Sequence, residues 1–336
     1  MNNRIYLSSG YLNIQGILSY KCTFNFIVGG RATGKTYGAL DYVLQTGTKF
    51  MLMRRTQAQA DLINKPEFSP FKPVCEDRHI EVTTSSVSKY NARFELDDET
   101  IGYTCALSTI ANMRGFDASD VKLLIYDEFI PERHERPIKS EGSAFLNAYE
   151  TMNRNRELKG KRPMTVLCLA NAFDIANPIF LELGLVGIAE KMKQNGRELY
   201  IDRDKSILIL LPDSTKIMKQ KDDTALYKLT EGSEFSRMAL NNDFIYNPTD
   251  NIKSMAIREF NPVVTVGEIT IYKHKSKKLY YVSEHRTGNP PKFTTDEIAM
   301  KRYLKNYGMK FYRMYMQNCF CFENMLTKSL FELYTI

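Results

Sequence analysis

The sequence predicts an α/β fold in which a mostly parallel sheet is flanked by helices, followed by a small helical linker and a smaller α+β C-terminal domain. Three observations predict it. A β-branched and aromatic run, Cys22 to Val28, ends in a glycine turn that opens directly into a helical stretch. Short apolar runs at Lys49 to Met53, Val121 to Tyr126, Met164 to Ala170 and Ser206 to Leu211 alternate with longer connections, the pattern of parallel strands covered on both faces. At 336 residues the chain exceeds the roughly 250–300 that one core sustains, and the polar run Asp213 to Asp223 offers an exposed connection between two domains. The expected division is 1–212 for the first domain, 213–248 for a partly helical linker and 249–336 for the second domain.

Each element has its own sequence reason. Thr36 to Thr46 places Tyr37, Leu40, Val43 and Leu44 on one helical side, and Arg93 to Leu96 with Ile101 to Ala106 alternate like a hairpin at the sheet's edge. Thr224 to Phe244 carries apolar residues at helical spacing, which suits a linker helix. Beyond it, Val263 to Tyr272 and Lys278 to Ser283 read as a hairpin with the basic turn Lys273 to Lys277, and Thr295 to Tyr307 reads as an amphipathic helix.

Composition narrows the class. Hydrophobic residues at 43% and charged residues at 25% give an ordinary globular balance and exclude wholesale disorder. Six cysteines lack the spacing of a zinc knuckle or redox pair, so they are expected to be reduced thiols in a cytoplasmic protein. The most apolar stretch, Pro163 to Ala189, is broken by Asp174 and Glu182, so neither secretion nor membrane spanning is expected. From Thr249 onward there are 14 Lys and Arg against 8 Asp and Glu, so most of the net charge of +7 sits in the last quarter. A polyanion partner and a solvated surface both account for such an excess.

The strongest chemical signal is Gly29-Gly30-Arg31-Ala32-Thr33-Gly34-Lys35-Thr36, a full G-x-x-x-x-G-K-[ST] match between a strand and a helix. Backbone N–H groups of such a turn hold nucleotide phosphates, the lysine reaches the β- and γ-phosphates, and the threonine hydroxyl ligates magnesium, which implies ATP and Mg2+. The second signal is the apolar run Val121 to Tyr126 ending in Asp127-Glu128, where Asp127 is expected to hold magnesium and Glu128 to act as general base. Lys35 and Asp127 are 92 positions apart, with a further strand between them, which argues against a simple kinase order. Thr165 to Asn171 supplies a strand after that pair, an order that resembles the additional-strand, catalytic-glutamate division of P-loop ATPases; the resemblance implies a γ-phosphate sensor at that strand's end, which makes Asn171 the candidate, with a strand-end asparagine making a turn as the alternative. Arg154 and Arg156 end the helical stretch before it, where likeness to ring ATPases implies an arginine finger and an ordinary surface arginine is the alternative. Arg54 and Arg55 close the second strand at the same edge as the glycine turn and are candidates to touch nucleotide or a neighbouring subunit, and Gln15 is a candidate adenine contact.

These residues carry a resemblance. The strand order resembles the additional-strand, catalytic-glutamate division of P-loop ATPases, and Asn112-Met113-Arg114-Gly115-Phe116-Asp117 leading into Leu123 to Phe129 resembles the segment before the Walker B strand of terminase large subunits. The Gly-Gly-Arg form of the P-loop and Leu169 to Ala172 are most similar to the DNA encapsidation ATPases of small, protein-primed podophages, over the N-terminal two thirds. The resemblance implies an ATP-driven motor that moves double-stranded DNA into a prohead in the host cell cytoplasm. It further implies a homomeric ring, usually a pentamer, at the portal vertex, with a packaging RNA between ring and portal in the best-known members, and an arginine acting in trans. That role is carried only to Arg154 or Arg156. Ordinary terminases have an RNase H-like nuclease at the C-terminus; here the acidic residues after Thr249 put no Asp on the expected strands, so a degenerate RNase H-like domain without nuclease activity is expected. Lys273, Lys275, Lys277 and Lys278, with Tyr272, Tyr280 and Tyr281 beside them, are its candidate nucleic-acid contacts, and a solvated hairpin tip is the alternative. A helicase or other nucleic-acid remodelling ATPase shares every N-terminal motif, and a signalling NTPase switch is disfavoured by the adjacent catalytic glutamate.

Overall fold

The computed structural model describes residues 4–113, 115–132, 135, 138–171, 175–212, 224–230 and 251–336. Arg114, Ala172, Asp174, the run Asp213 to Asp223 and most of the expected linker helix lie outside the described residues, and Ala225–Leu229 is the part of that helix that is described. The chain divides into two compact units, Met1–Leu183 with Lys191–Ile245, and Gly184–Glu190 with Tyr246–Ile336.

The first unit is built on one sheet in the order β3-β4-β5-β2-β6-β7-β1-β9-β8 among the described residues, with β8 (Leu199–Asp202) antiparallel to β9 at one edge. Its centre is parallel: β5 (Glu99–Ala106), β2 (Phe50–Arg54), β6 (Leu123–Asp127), β7 (Thr165–Asn171), β1 (Phe24–Gly29) and β9 (Ile207–Leu210). Apart from β5, whose first half is partly open, their side chains are nearly all buried, which explains why these stretches read as continuous apolar runs rather than alternating ones. The expected edge hairpin is a larger device. β4 (Asn91–Leu96) pairs antiparallel with both β3 (Thr83–Ser88) and β5, and β5 itself joins the parallel centre beside β2. β3 is mostly Ser and Thr and carries no apolar alternation, so the hydrophobic pattern did not disclose it.

Helices cover the sheet. Helix α1 (Ile14–Leu18) is capped by the Asn13 side chain, α2 (Lys35–Thr46) buries Ala39, Leu40 and Val43, and Tyr37 on its other side is exposed and donates to Asp77 at 2.6 Å. Helix α3 (Gln57–Ile63) starts with a Thr56–Gln59 capping box, and α4 (Lys72–Arg78) follows. Helix α5 (Glu141–Asn153) sets the Phe145 ring against Tyr126 of β6, with centroids 5.7 Å apart.

The second unit has the strand order β13-β10-β11-β12-β14. Here the expected two-stranded hairpin is a three-stranded meander: β10 (Phe260–Val266), β11 (Ile269–His274) and β12 (Tyr280–Ser283). The sequence reading ran straight through Gly267, whose φ of +51° makes the extra turn. β13 (Lys292–Phe293) runs parallel beside β10, and β14 (Phe320–Phe322) runs parallel beside β12. The amphipathic helix runs further than expected, from Glu297–Tyr303 through a wide turn at Leu304–Gly308 into Met309–Met316. Tyr272, Tyr280 and Tyr281 are 0%, 3% and 1% exposed, so they are core residues and are not available to stack on a nucleic acid. No helix among the described residues is long and apolar enough to cross a membrane.

Candidate functional site

The site lies at the C-terminal edge of the parallel strands, where the strand ends of an open α/β sheet gather ligands. Gly29 ends β1, and the turn through Thr33 delivers the chain into α2. Gly34 takes φ +83° and lies so close to Tyr11 that an added Cβ would sit 3.1 Å from its ring, so both conformation and space require glycine. Ala32, at φ +59°, holds a strained non-glycine conformation in the same turn. No side chain caps α2 at Gly34, which leaves the first N–H groups of the helix directed at the turn, the arrangement that binds phosphate.

Lys35 is buried and spans this turn. Its Nζ donates to the carbonyls of Gly29 (3.0 Å) and Gly30 (2.6 Å) and lies 3.3 Å from Oδ1 of Asn171. β7 separates β1 from β6, so the asparagine at its end stands between the glycine turn and the acidic pair. Thr36 Oγ1 donates to Asp127 Oδ1 at 3.0 Å. Sequence reasoning had placed these four residues in one site, and the geometry brings them together.

Glu128 adopts φ +58° directly after β6, and this turn swings its side chain out of the strand direction. Arg54 meets it there. Arg54 Nη1 lies 2.6 Å from Glu128 Oε2 and Nη2 lies 3.2 Å from Asp127 Oδ2, so one guanidinium clasps both carboxylates. Surrounding protein raises the Glu128 pKa by desolvation, with Arg54 opposing and Asp127, Glu135 and Glu132 adding to the rise, although about half of the side chain remains open to water.

Arg55 behaves differently from its neighbour, because successive strand residues point to opposite faces. It is fully buried and is not available to a nucleotide or a neighbouring subunit, which corrects the expectation for it. Its guanidinium makes two bonds to Glu141 (2.6 and 2.9 Å) and one to Glu135 (2.7 Å), and Gln59 donates to Glu135 at 2.6 Å. Glu135 also accepts the Glu132 N–H, and Glu132 pairs with Arg31 of the glycine turn at 3.0 Å. The P-loop, the end of β2, α3 and the start of α5 are thus tied through one run of charges. Arg55→Met is expected to cost about 3–5 kcal/mol, because it leaves Glu141 buried and unpaired. The check is the urea midpoint of unfolding, and a midpoint equal to that of the unaltered chain would refute a structural role.

Arg154 and Arg156 lie elsewhere. Tyr149 packs against Phe24 at the start of β1 (4.8 Å), and Asn153 accepts the Met164 N–H (2.8 Å) just before β7. The end of α5 therefore lies at the strand N-terminal edge, opposite the P-loop of the same chain. Arg156 is buried, and its Nη2 donates to the Ala118 carbonyl at 2.7 Å, so it is a structural arginine and does not fit a finger. Arg154 adopts φ +46°, contacts the Phe116 carbonyl at 2.5 Å and Asp117 at 3.7 Å, and keeps 42% of its side chain exposed. Of the two, only Arg154 is placed to reach another molecule.

A pocket of about 570 Å3 adjoins Gly34 and includes Tyr11, Gln15, Tyr37, Asp41 and Asp77 in its lining. Gln15 is thus beside the glycine turn, as an adenine contact requires. In the second unit Lys273, Lys275, Lys277 and Lys278 are all exposed. His274 organises their turn by accepting the N–H groups of Ser276 and Lys277, both at 3.1 Å, and Lys278 donates to Gln317 at 2.7 Å. Among the described residues no three His, Cys, Asp or Glu side chains gather as a metal site.

A family model described as podovirus DNA encapsidation protein (Gp16) matches residues 7–333. The DNA packaging protein of Bacillus phage phi29 is 27% identical over 342 residues, covering 96% of this chain and 97% of its own length. That of Bacillus phage B103 is 27% identical, covering 94% and 97%. Among solved structures, the bacteriophage Phi-29 viral genome packaging motor assembly aligns with a TM-score of 0.66 at 23% identity over 97% of this chain and 98% of that one. The Phi-28 gp11 DNA packaging motor aligns with a TM-score of 0.67 at 20% identity, over 98% of each chain. At those identities the two structures speak to the fold.

Proposed function

The chain belongs to the podovirus DNA encapsidation protein family, and from that footing we propose that it is an ATP-driven subunit of a motor that moves double-stranded DNA into a prohead. The observation that carries the reading is the Arg54 clasp on Asp127 and Glu128, set 3.0 Å from the P-loop hydroxyl through Thr36 and Asp127. A site with that composition is equipped to hold ATP and to control its hydrolysis.

The residues divide the work. N–H groups of the turn Gly29 to Gly34 and of the α2 start bind the β- and γ-phosphates, and Lys35 offsets their charge. Thr36 and Asp127 present adjacent hard oxygen donors that fit a magnesium ion. When bound there, magnesium neutralises charge on the phosphate oxygens. Glu128 accepts the proton of the attacking water once Arg54 releases it, and Asn171, in reach of Lys35, senses the γ-phosphate. Arg154, facing away from its own nucleotide, completes the site of a neighbouring subunit. That requirement supports a homomeric ring, with five subunits by family likeness, docked at the portal vertex in the host cytoplasm with a packaging RNA between them.

Residues 1–212 serve as the ATPase domain, 213–248 as the linker, and 249–336 as a vestigial nuclease-like, nucleic-acid-binding domain without nuclease activity. The exposed lysines of the His274-organised turn support its contact with phosphates. The test is packaging. Purified prohead, DNA and this protein should give nuclease-protected DNA only with hydrolysable ATP. ATP-dependent strand separation without protection would favour a helicase, and turnover indifferent to DNA, RNA and prohead would favour a signalling switch.

A further inference from the structure

The starts of β1, β2, β6, β7 and β9 meet at the edge of the sheet opposite the P-loop, over a cavity of about 640 Å3. Lys21, Lys122 and Arg162 line it, with Thr23, Thr165 and Ser206 beside them. These three cations are far apart in sequence. Lys21 occupies the turn into β1 at φ +59°, Lys122 immediately precedes β6, and Arg162 lies three residues before β7. All three are exposed, and among the described residues none has an ion pair or a side-chain hydrogen bond.

Their neighbours are otherwise satisfied. Lys49 is neutralised by Asp120 at 2.8 Å, and Arg203 donates to the Tyr20 carbonyl at 2.5 Å. The carboxylate near Cys22, Asp202, accepts the Lys205 N–H. Three unpaired cations that the fold brings into one concavity raise the local potential and favour an anion there. Thr23 and Thr165 add hydroxyls at the strand starts, the donors that commonly supplement lysine and arginine at phosphate oxygens.

We propose that this cleft is a second phosphate-contact site, and that its ligand is the phosphodiester backbone of the nucleic acid being moved. The inference rests on the function proposed above. It places a DNA contact on the ATPase unit itself, distinct from the basic turn at Lys273 to Lys278. A free nucleotide fits less well, because the cations are spread over three connections and the P-loop already provides a nucleotide site. The six residues of β1 separate the two places by roughly 17–20 Å, so occupancy of the cleft leaves the P-loop open.

The test uses the full chain and a short DNA duplex, with binding followed by fluorescence anisotropy between 50 and 200 mM salt. Lys21→Gln, Lys122→Gln and Arg162→Gln combined should flatten the slope of log affinity against log salt by up to about 2.7, at about 0.9 per phosphate contact. ATP turnover without DNA should be unchanged. Lys122→Arg with Arg162→Lys, which keeps the charges, should keep the slope. The triple change should also flatten the slope when the four turn lysines are already glutamine. A wild-type slope in the triple variant, or equal loss in the charge-preserving variant, overturns the proposal. So does a salt-sensitive second ATP-binding step that is lost in the triple variant while DNA binding is unaltered. Failure of the unaltered chain to bind duplex DNA would overturn both this contact and the function it rests on, a result distinct from the other three.

Discussion

Glu128→Gln is expected to bind ATP about as tightly as the unaltered chain and to hydrolyse it roughly 10²–10⁴-fold more slowly. The amide has the size of the carboxylate but cannot take a proton from water. Binding is expected to survive because the groups proposed to hold phosphates, Lys35, Thr36 and the turn N–H groups, make no bond to Glu128. The raised Glu128 pKa supports its role, since a more basic carboxylate accepts a proton more readily. Arg54 sets a further condition. At 2.6 Å it holds Glu128 in a charge-assisted bond, and the base can act only after that bond yields. Equilibrium binding of a fluorescent nucleotide and single-turnover phosphate release separate the two effects. Normal phosphate release would assign the base to another residue.

The parallel sheet, its P-loop and the acidic strand end were legible in the sequence because each depends on local chemistry. A buried parallel strand is a continuous apolar run, and a phosphate turn needs glycine at fixed offsets. What was not legible depends on topology. Arg54 and Arg55 are neighbours of one type, and only the alternation of β2 sends one to Glu128 and the other to Glu141. Arg154 and Arg156 are likewise alike in sequence, yet Arg156 is consumed by the Ala118 carbonyl. The three tyrosines beside the basic turn read as part of a nucleic-acid contact and are core residues, because their strands form a three-stranded meander with few solvent-facing positions. Lys21, Lys122 and Arg162 carried no motif at all. They are brought together by five strand starts that the sequence separates by more than 180 residues.

The charges of the site form one connected run. Arg31 at the P-loop pairs with Glu132, whose N–H bonds Glu135, which in turn holds Arg55 at the end of β2. Arg54, the last residue of β2, holds Asp127 and Glu128.

Arg154→Ala is expected to leave ATP binding nearly intact and to cut hydrolysis by about 10³-fold or more, the loss typical of a missing arginine finger. In the folded chain Arg154 is at the strand N-terminal edge while the P-loop is at the other, so it cannot serve its own nucleotide. Its partly exposed guanidinium, held by one carbonyl and a 3.7 Å contact to Asp117, can leave those partners at small cost. Arg156→Ala should behave differently. It removes a buried bond to Ala118, so it should lower the melting temperature rather than act selectively on turnover. Mixed rings distinguish an action in trans from damage to the subunit. Glu128→Gln subunits keep Arg154, and Arg154→Ala subunits keep Glu128, so a ring containing both has some sites with a base and a neighbour's arginine together. Such rings should regain hydrolysis that neither variant shows alone, in proportion to the number of those junctions. If rings shown to contain both subunits stay as inactive as the separate variants, Arg154 is not the residue that completes the next subunit's site.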